Sequence, residues 1–341
     1  MNEPVLSQSK SKKMKLWVKV LIGFIIAIGV FWQAAPLYGA LFGGPSITDR
    51  FTSWGYRAPN EIFELTKKSG MNDNGRFHFY IGQPQLNDSS AFNHNCADVM
   101  HAETVVLGCY DGQIYLFDVT DNRLEGVKYV TAAHEMLHVV YERLGSIEQL
   151  RVDKLLNEQL EKTTDERILG LVETYDRTEP GQRLNELHSI FATEVRNVNP
   201  ELEQYYGKYF SDRSRVVTES ERYEKIFSEL EAKAEELEGQ LDNLGAQIDS
   251  RKTNYEFRAE KLSADIDWFN SCADTYGCFY NEIAFNSQRN SLLGEQNSLN
   301  AEADAINALI EQYNLIAVDL QALGYEVEQL QNSINSRSIL E

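Results

Sequence analysis

Apolar residues along this chain follow three different rules in succession. From Leu16 to Phe42 they run almost without interruption, and Val20 to Trp32 contains nothing but apolar residues and glycine. From Pro59 to Phe210 they recur with mixed helical and alternating periods, and from about Thr218 onward they return at three- and four-residue steps inside long charged stretches. The elements these rules predict are a membrane span, a globular domain and a coiled coil.

The first stretch exceeds the roughly 20 residues that cross a bilayer. Trp17, Trp32 and Tyr38 sit near its ends, where aromatic side chains meet the membrane interface. Lys10, Lys12, Lys13, Lys15 and Lys19 precede or open it, which places residues 1–15 in the cytoplasm as a basic tail and everything after about Gly43 outside. A signal peptide is the rival reading. Neither Gln33-Ala34-Ala35 nor Tyr38-Gly39-Ala40 forms a clean small-x-small cleavage site, so an uncleaved transmembrane helix over 16–42 in a cell membrane is expected.

Gly43-Gly44-Pro45-Ser46 reads as a linker into a domain over 43–217. Pro59–Lys68 reads as a helix stopped at Gly70, Arg76–Ile81 as a strand with alternating faces, and Gly82–Ala102 as a polar loop. Glu103–Tyr110 and Gln113–Val119 are β-rich runs joined at Asp111-Gly112, a strong hairpin signal. A helical pattern then runs from about Val127 to Leu144 and meets Gly145, and further helices are expected over 147–162, 166–175 and 184–195.

The Val127–Leu144 helix carries His134-Glu135-Met136-Leu137-His138, an H-E-x-x-H sequence. Histidines four apart project from one helix face, so two imidazoles can close on one zinc ion while Glu135 stands beside the open coordination position. Zinc with three protein ligands acidifies a water and polarises a scissile carbonyl, and the adjacent carboxylate serves as general base and then acid. A pair of hydrogen-bonded helical histidines is the plainer alternative.

Strand, strand and then an HExxH helix is the order found in the zincin metallopeptidases, which this region resembles. In the gluzincin clan the third ligand is a glutamate on a later helix, within N-E-x-x-S-D-x-F-x-T in thermolysin-like enzymes. Asn185-Glu186-Leu187-His188-Ser189-Ile190-Phe191-Ala192-Thr193 is similar to that pattern, with the Asp missing and a longer spacing from His138. The resemblance implies Glu186 as third ligand and extends to the clan rather than to the thermolysin family.

A helical wheel leaves alternatives open: Leu187, Ile190, Phe191, Val195 and Val198 form an apolar face, Glu194 falls inside it, and Glu186 and His188 flank it. Glu194 and His188 are therefore the alternative ligands, with Glu194 the candidate partner of a ligand histidine. The clan stabilises its oxyanion with Tyr or His, and Tyr205, Tyr206 and Tyr175 are the candidates here.

A net charge of −20 argues against nucleic acid as a partner. Four cysteines are too few for a disulfide scaffold, but outside a membrane they would be oxidised. Cys96 with Cys109 and Cys272 with Cys278 are the expected bridges. A second cation site from His94, Cys96, His101 and Cys109 is the alternative for the first pair, although its spacing fits no standard zinc pattern.

In the third stretch one seam runs through Tyr223, Phe227, Leu230, Ala234, Leu237, Leu241, Leu244, Ile248, Tyr255, Leu262 and Ile266. A second runs through Leu299, Ala303, Ile306, Ile310, Tyr313, Ala317, Leu320, Val327 and Ile334. Segments of similar length around Trp268–Phe279 imply an antiparallel coiled-coil hairpin over 218–341 with a tip loop at 268–283. Arg251 and Arg258 interrupt the first seam and Gly324 the second. An aromatic tip of this kind suits a protein or cell-envelope partner.

The fold class that follows is α+β: a zincin-like domain of helices and a small antiparallel sheet, an N-terminal transmembrane helix, and the hairpin. The expected activity is zinc-dependent hydrolysis of peptide or protein substrates outside the cytoplasm. A non-catalytic envelope scaffold acting through the hairpin, with a structural zinc site, is the competing expectation.

Overall fold

The computed structural model describes residues 40–97, 106–178 and 181–336. The basic tail and nearly all of the expected membrane span, 16–42, lie outside the described residues, as do His101 and part of the Glu179-Pro180-Gly181 turn. Among the described residues no helix is long and apolar enough to cross a membrane. The fold is broadly α+β, mostly helical, with a three-stranded sheet and two long helices in its C-terminal half.

Two compact units divide the chain, the first made of residues up to Glu221 together with those from Asn335, the second running from Arg222 to Ile334. The first unit contains helices α1 (Ile47–Gly55), α2 (Asn60–Lys68) and α3 (Asp73–Ile81), then strand β1 (Gln85–Asn87) and helix α4 (Ser89–Asn95). Strands β2 (Gly108–Tyr110) and β3 (Ile114–Phe117) follow, then helices α5 (Glu125–Glu142), α6 (Ser146–Leu160), α7 (Glu166–Thr178), α8 (Arg183–Thr193) and α9 (Pro200–Tyr206).

Helix α5 is the centre of this unit. Val127, Val130, Ala132, Ala133, Met136, Leu137, Val139 and Val140 are all buried, so it is apolar around most of its circumference. Helices α2, α3 and α8 and strands β2 and β3 pack around it. The sheet has the order β1-β3-β2, with β1 parallel and β2 antiparallel to β3, which leaves β2 at an edge.

Two local expectations need correction. The sheet is mixed rather than antiparallel, because Gly82–Ala102 is not all loop: Gln85–Asn87 pairs in parallel with Tyr115–Phe117, and Ser89–Asn95 is a helix capped by Asp88. The expected strand Arg76–Ile81 is helix α3. Asn72 caps its start by accepting from the Asn74 and Gly75 amides, and burial falls on Gly75, His78, Phe79 and Ile81, a helical spacing that its alternating residue types conceal.

The second unit is a helical hairpin. Helix α10 (Ser214–Ala273) begins in the first unit, and α11 (Glu282–Ile334) returns antiparallel to it. Arg251 pairs with Glu302 and Arg258 with Glu295, both at 2.8 Å, so each seam-interrupting arginine meets a carboxylate across the hairpin and fixes its register. Ile310 and Tyr313 lie further out than expected, while Leu323 and Leu330 are buried. Cys272 and Cys278 are bridged at the tip, where Phe269, Phe279 and Phe285 cluster beneath exposed Tyr276 and Tyr280.

Candidate metal centre

One turn of α5 places His134 and His138 on the same face, and α8 packs against that face. Glu186, in the first turn of α8, lies between the two imidazoles. Its Oε2 is 3.3 Å from His134 Nε2 and its Oε1 is 3.7 Å from His138 Nε2. The three donor atoms all lie within 4.8 Å of one another. A tetrahedral zinc with bonds of about 2.0–2.1 Å separates its ligand atoms by roughly 3.3–3.5 Å, so this group could hold a metal ion with little movement.

Burial alone raises the Glu186 carboxyl, but the charge of His138 and hydrogen bonds from His134 and Tyr175 outweigh it and hold the group down at about 2. A carboxylate that stays ionised while buried is what a cation requires. His138 Nδ1 lies 3.0 Å from Asn185 Oδ1, so Asn185 accepts its N–H and leaves Nε2 as the donor facing Glu186. Ser189 Oγ donates to the His134 carbonyl at 3.2 Å, which ties α8 to α5 within the site.

The site opens into a cavity of about 660 Å³. Its walls include Gly108 to Gly112, Glu135, Tyr141, Glu142, Tyr175 and Asn185. Glu135 is buried and lies against edge strand β2. A Cβ at Gly108 would sit 2.5 Å from Glu135 Oε1 and 2.6 Å from Thr131, so only glycine lets the strand approach that carboxylate. The Cys96–Cys109 bridge ties the middle of β2 to the end of α4. Both thiols are consumed in it, which removes the alternative cation site; His94 is exposed.

Several nominated residues have other work. Helix α8 ends at Thr193, so the wheel does not extend to Glu194; this residue caps the helix and pairs with Arg167 at 2.6 Å rather than orienting a histidine. His188 is fully buried on another side of α8, where its Nε2 meets the Tyr205 hydroxyl at 2.9 Å. Burial, followed by the charges of His138 and His134, pushes it down to about 3. Tyr206 donates to the His188 carbonyl. Both tyrosines are therefore core residues outside the cavity, which leaves Tyr175, of the three candidates, in its wall.

Asn185 and Gly108 were not singled out by sequence reasoning. Asn185 stands next to Glu186 in the same short motif, which is the one signal that could have found it. No protein-family model, curated protein or solved structure matches this chain.

Proposed function

We propose that this chain is a zinc metallopeptidase of gluzincin type, anchored in a membrane through residues 16–42 and working on the side away from the cytoplasm. The observation that carries the reading is the convergence of His134, His138 and Glu186 on one point at the head of a cavity, with Glu135 beside it. Two imidazoles and a carboxylate are a donor set suited to zinc, and an open cavity beside three protein ligands is the arrangement of a catalytic rather than a closed structural site.

His134, His138 and Glu186 would hold the zinc, which would supply a Lewis acid able to acidify a water and polarise the peptide carbonyl. Glu135 accepts the water proton on its carboxylate and returns it to the leaving amine. Tyr175, hydrogen-bonded to Glu186, holds a hydroxyl in the cavity wall within the reach of a ligand residue. Among the described residues no strand pairs with the outer edge of β2, and an extended peptide would add there as a strand alongside Gly108–Tyr110.

The test pairs metal content with turnover of a peptide library. The wild type should hold about one zinc per chain. Glu135→Gln should keep the zinc and lose about 10²–10⁴ in rate. Unchanged turnover in that variant would sink the mechanism. The scaffold reading is favoured by the exposed aromatic tip of the hairpin, and it predicts that Glu135→Gln restores function in cells while deletion of the tip does not.

A further inference from the structure

Helix α1 is amphipathic the wrong way round for a helix that only packs on its own protein. Ile47, Phe51 and Trp54 occupy one face and are 75%, 66% and 78% exposed. Arg50 and Arg57 are exposed with them, while Asp49 turns inward to Arg143 at 3.0 Å. Three large apolar groups flanked by two arginines thus face outward from a chain whose net charge is −20.

The place where the chain emerges from residues 1–39 adjoins this helix. Ala40 O accepts from Ser146 Oγ, Gly43 bridges to Leu144, and the Gly44 amide donates to Arg143 O. The two backbones touch so closely that a Cβ on Gly145 would sit 2.3 Å from Gly43 N. Every one of these contacts, like that of Asp49, falls on residues 143–146. Exposed Leu41 and Ile147 belong to the same neighbourhood.

From this placement we infer that α1 is an interfacial helix lying on the bilayer, with Ile47, Phe51 and Trp54 inserted among the lipids and Arg50 and Arg57 at anionic headgroups. The bilayer is the occupant that the chain itself indicates. The apolar run Leu16–Phe42 ends at the first described residues, four positions before α1 is capped by Ser46, so a membrane holding that run lies within a few residues of the exposed face. An apolar helical face with aromatic residues and a basic residue, Arg50, on it, and a second, Arg57, two residues past the helix end, is what interfacial binding uses. Arg143–Gly145, which follow the HExxH helix where it ends at Glu142, then stand directly above the membrane, and substrates presented close to the lipid surface are favoured. The inference uses the anchoring part of the proposed function but not its metal chemistry.

The test uses the full chain in phosphatidylcholine–phosphatidylglycerol vesicles. All four native cysteines are bridged, so a single thiol introduced by Phe51→Cys, Trp54→Cys or, as an aqueous control, Glu201→Cys takes a nitroxide label specifically. Labels at 51 and 54 should lose collisions with a water-soluble nickel chelate and gain collisions with oxygen, whereas the label at 201 should not. Arg50→Glu with Arg57→Glu should move the label at 54 towards water in anionic but not in neutral vesicles. Chains that float with the vesicles but give labels at 51 and 54 as wet as the control overturn the docking alone. Chains that do not float overturn the anchor as well, and protection from both probes would mean a second protein copy on this face, which also overturns the inference.

Discussion

The first unit and the hairpin use the same residue, arginine, in opposite ways. Arg213 is almost wholly buried; it donates to the carbonyls of Phe191, Ala192, Val195 and Arg196 and pairs with Glu203. It thereby satisfies the orphan carbonyls where α8, the helix of Glu186, comes to an end. Arg251 and Arg258 each pair with one carboxylate across the hairpin, Arg258 also donating to Ser298, and their side chains remain about 41% and 28% exposed. In the first unit, removing a group strands others without water. In the hairpin, water takes the vacant place. Core packing repeats the contrast in part: Phe79, Phe92, Phe191, Met136 and Leu137 are completely buried, whereas along the hairpin Leu330 is completely buried but Leu237, Leu262 and Ile306 each keep 8% of their surface exposed.

Metal removal should separate the two regions most. If the ion is present at a thousand times its dissociation constant, stripping it with a chelator costs the first unit about 4 kcal/mol. Peptide-resolved hydrogen exchange should then show faster exchange in α5 and α8 and no change in α10 beyond residue 222 or in α11. Equal acceleration in both units would erase the distinction.

Arginine replacement comes next. Arg213→Met should cost about 3 kcal/mol or more in chemical denaturation, because several buried carbonyls lose their donor. Arg251→Met should cost under about 1 kcal/mol. Comparable losses would show that the hairpin pairs are worth far more than their exposure implies.

Acid provides the smallest and most gradual test. Burial is the largest influence on His78 and holds it below its ordinary value, with the hydrogen bond to Asn74 opposing in part. The unfolded chain then binds the proton more readily than the folded one, so stability is full above about pH 6.5 and falls as pH drops below it, by at most about 1.4 kcal/mol per pH unit for one proton. All six histidines lie outside residues 222–334, so exchange in the hairpin should be flat across the same range. His78→Gln should make the response of the first unit shallower without abolishing it, because buried His188 is held low as well.

The hairpin, its tip bridge, the β2–β3 turn and helix α5 can be read from sequence because each is fixed by local pattern or by near neighbours. Strand β1 is three residues long and exists through its pairing with β3, so nothing within Gln85–Asn87 announces it. Helix α3 was hidden by an alternating run of aromatics, although the Asn72-Asp73 start carried the capping signal. At the site, the HExxH spacing by itself puts two imidazoles on one face, and a second motif on a later helix nominates Glu186. The roles of Tyr205, Tyr206 and Glu194 depended on where α8 stops and which way it is rolled against α5, and a wheel drawn past Thr193 could not supply either.

Beyond the hairpin the chain returns to its first unit. Ser336 O accepts from Ser89 Oγ and Asn93 Nδ2, and Ser336 Oγ donates to Val106 O, closing a sequence gap of 247 residues between Ser89 and Ser336. Ser89 and Asn93 of α4, and Val106 two residues before β2, thus take partners that lie beyond the whole hairpin in sequence. A chain cut within α11 keeps His134, His138 and Glu186 but lacks Ser336, so Val106, in the cavity wall, loses that hydrogen bond.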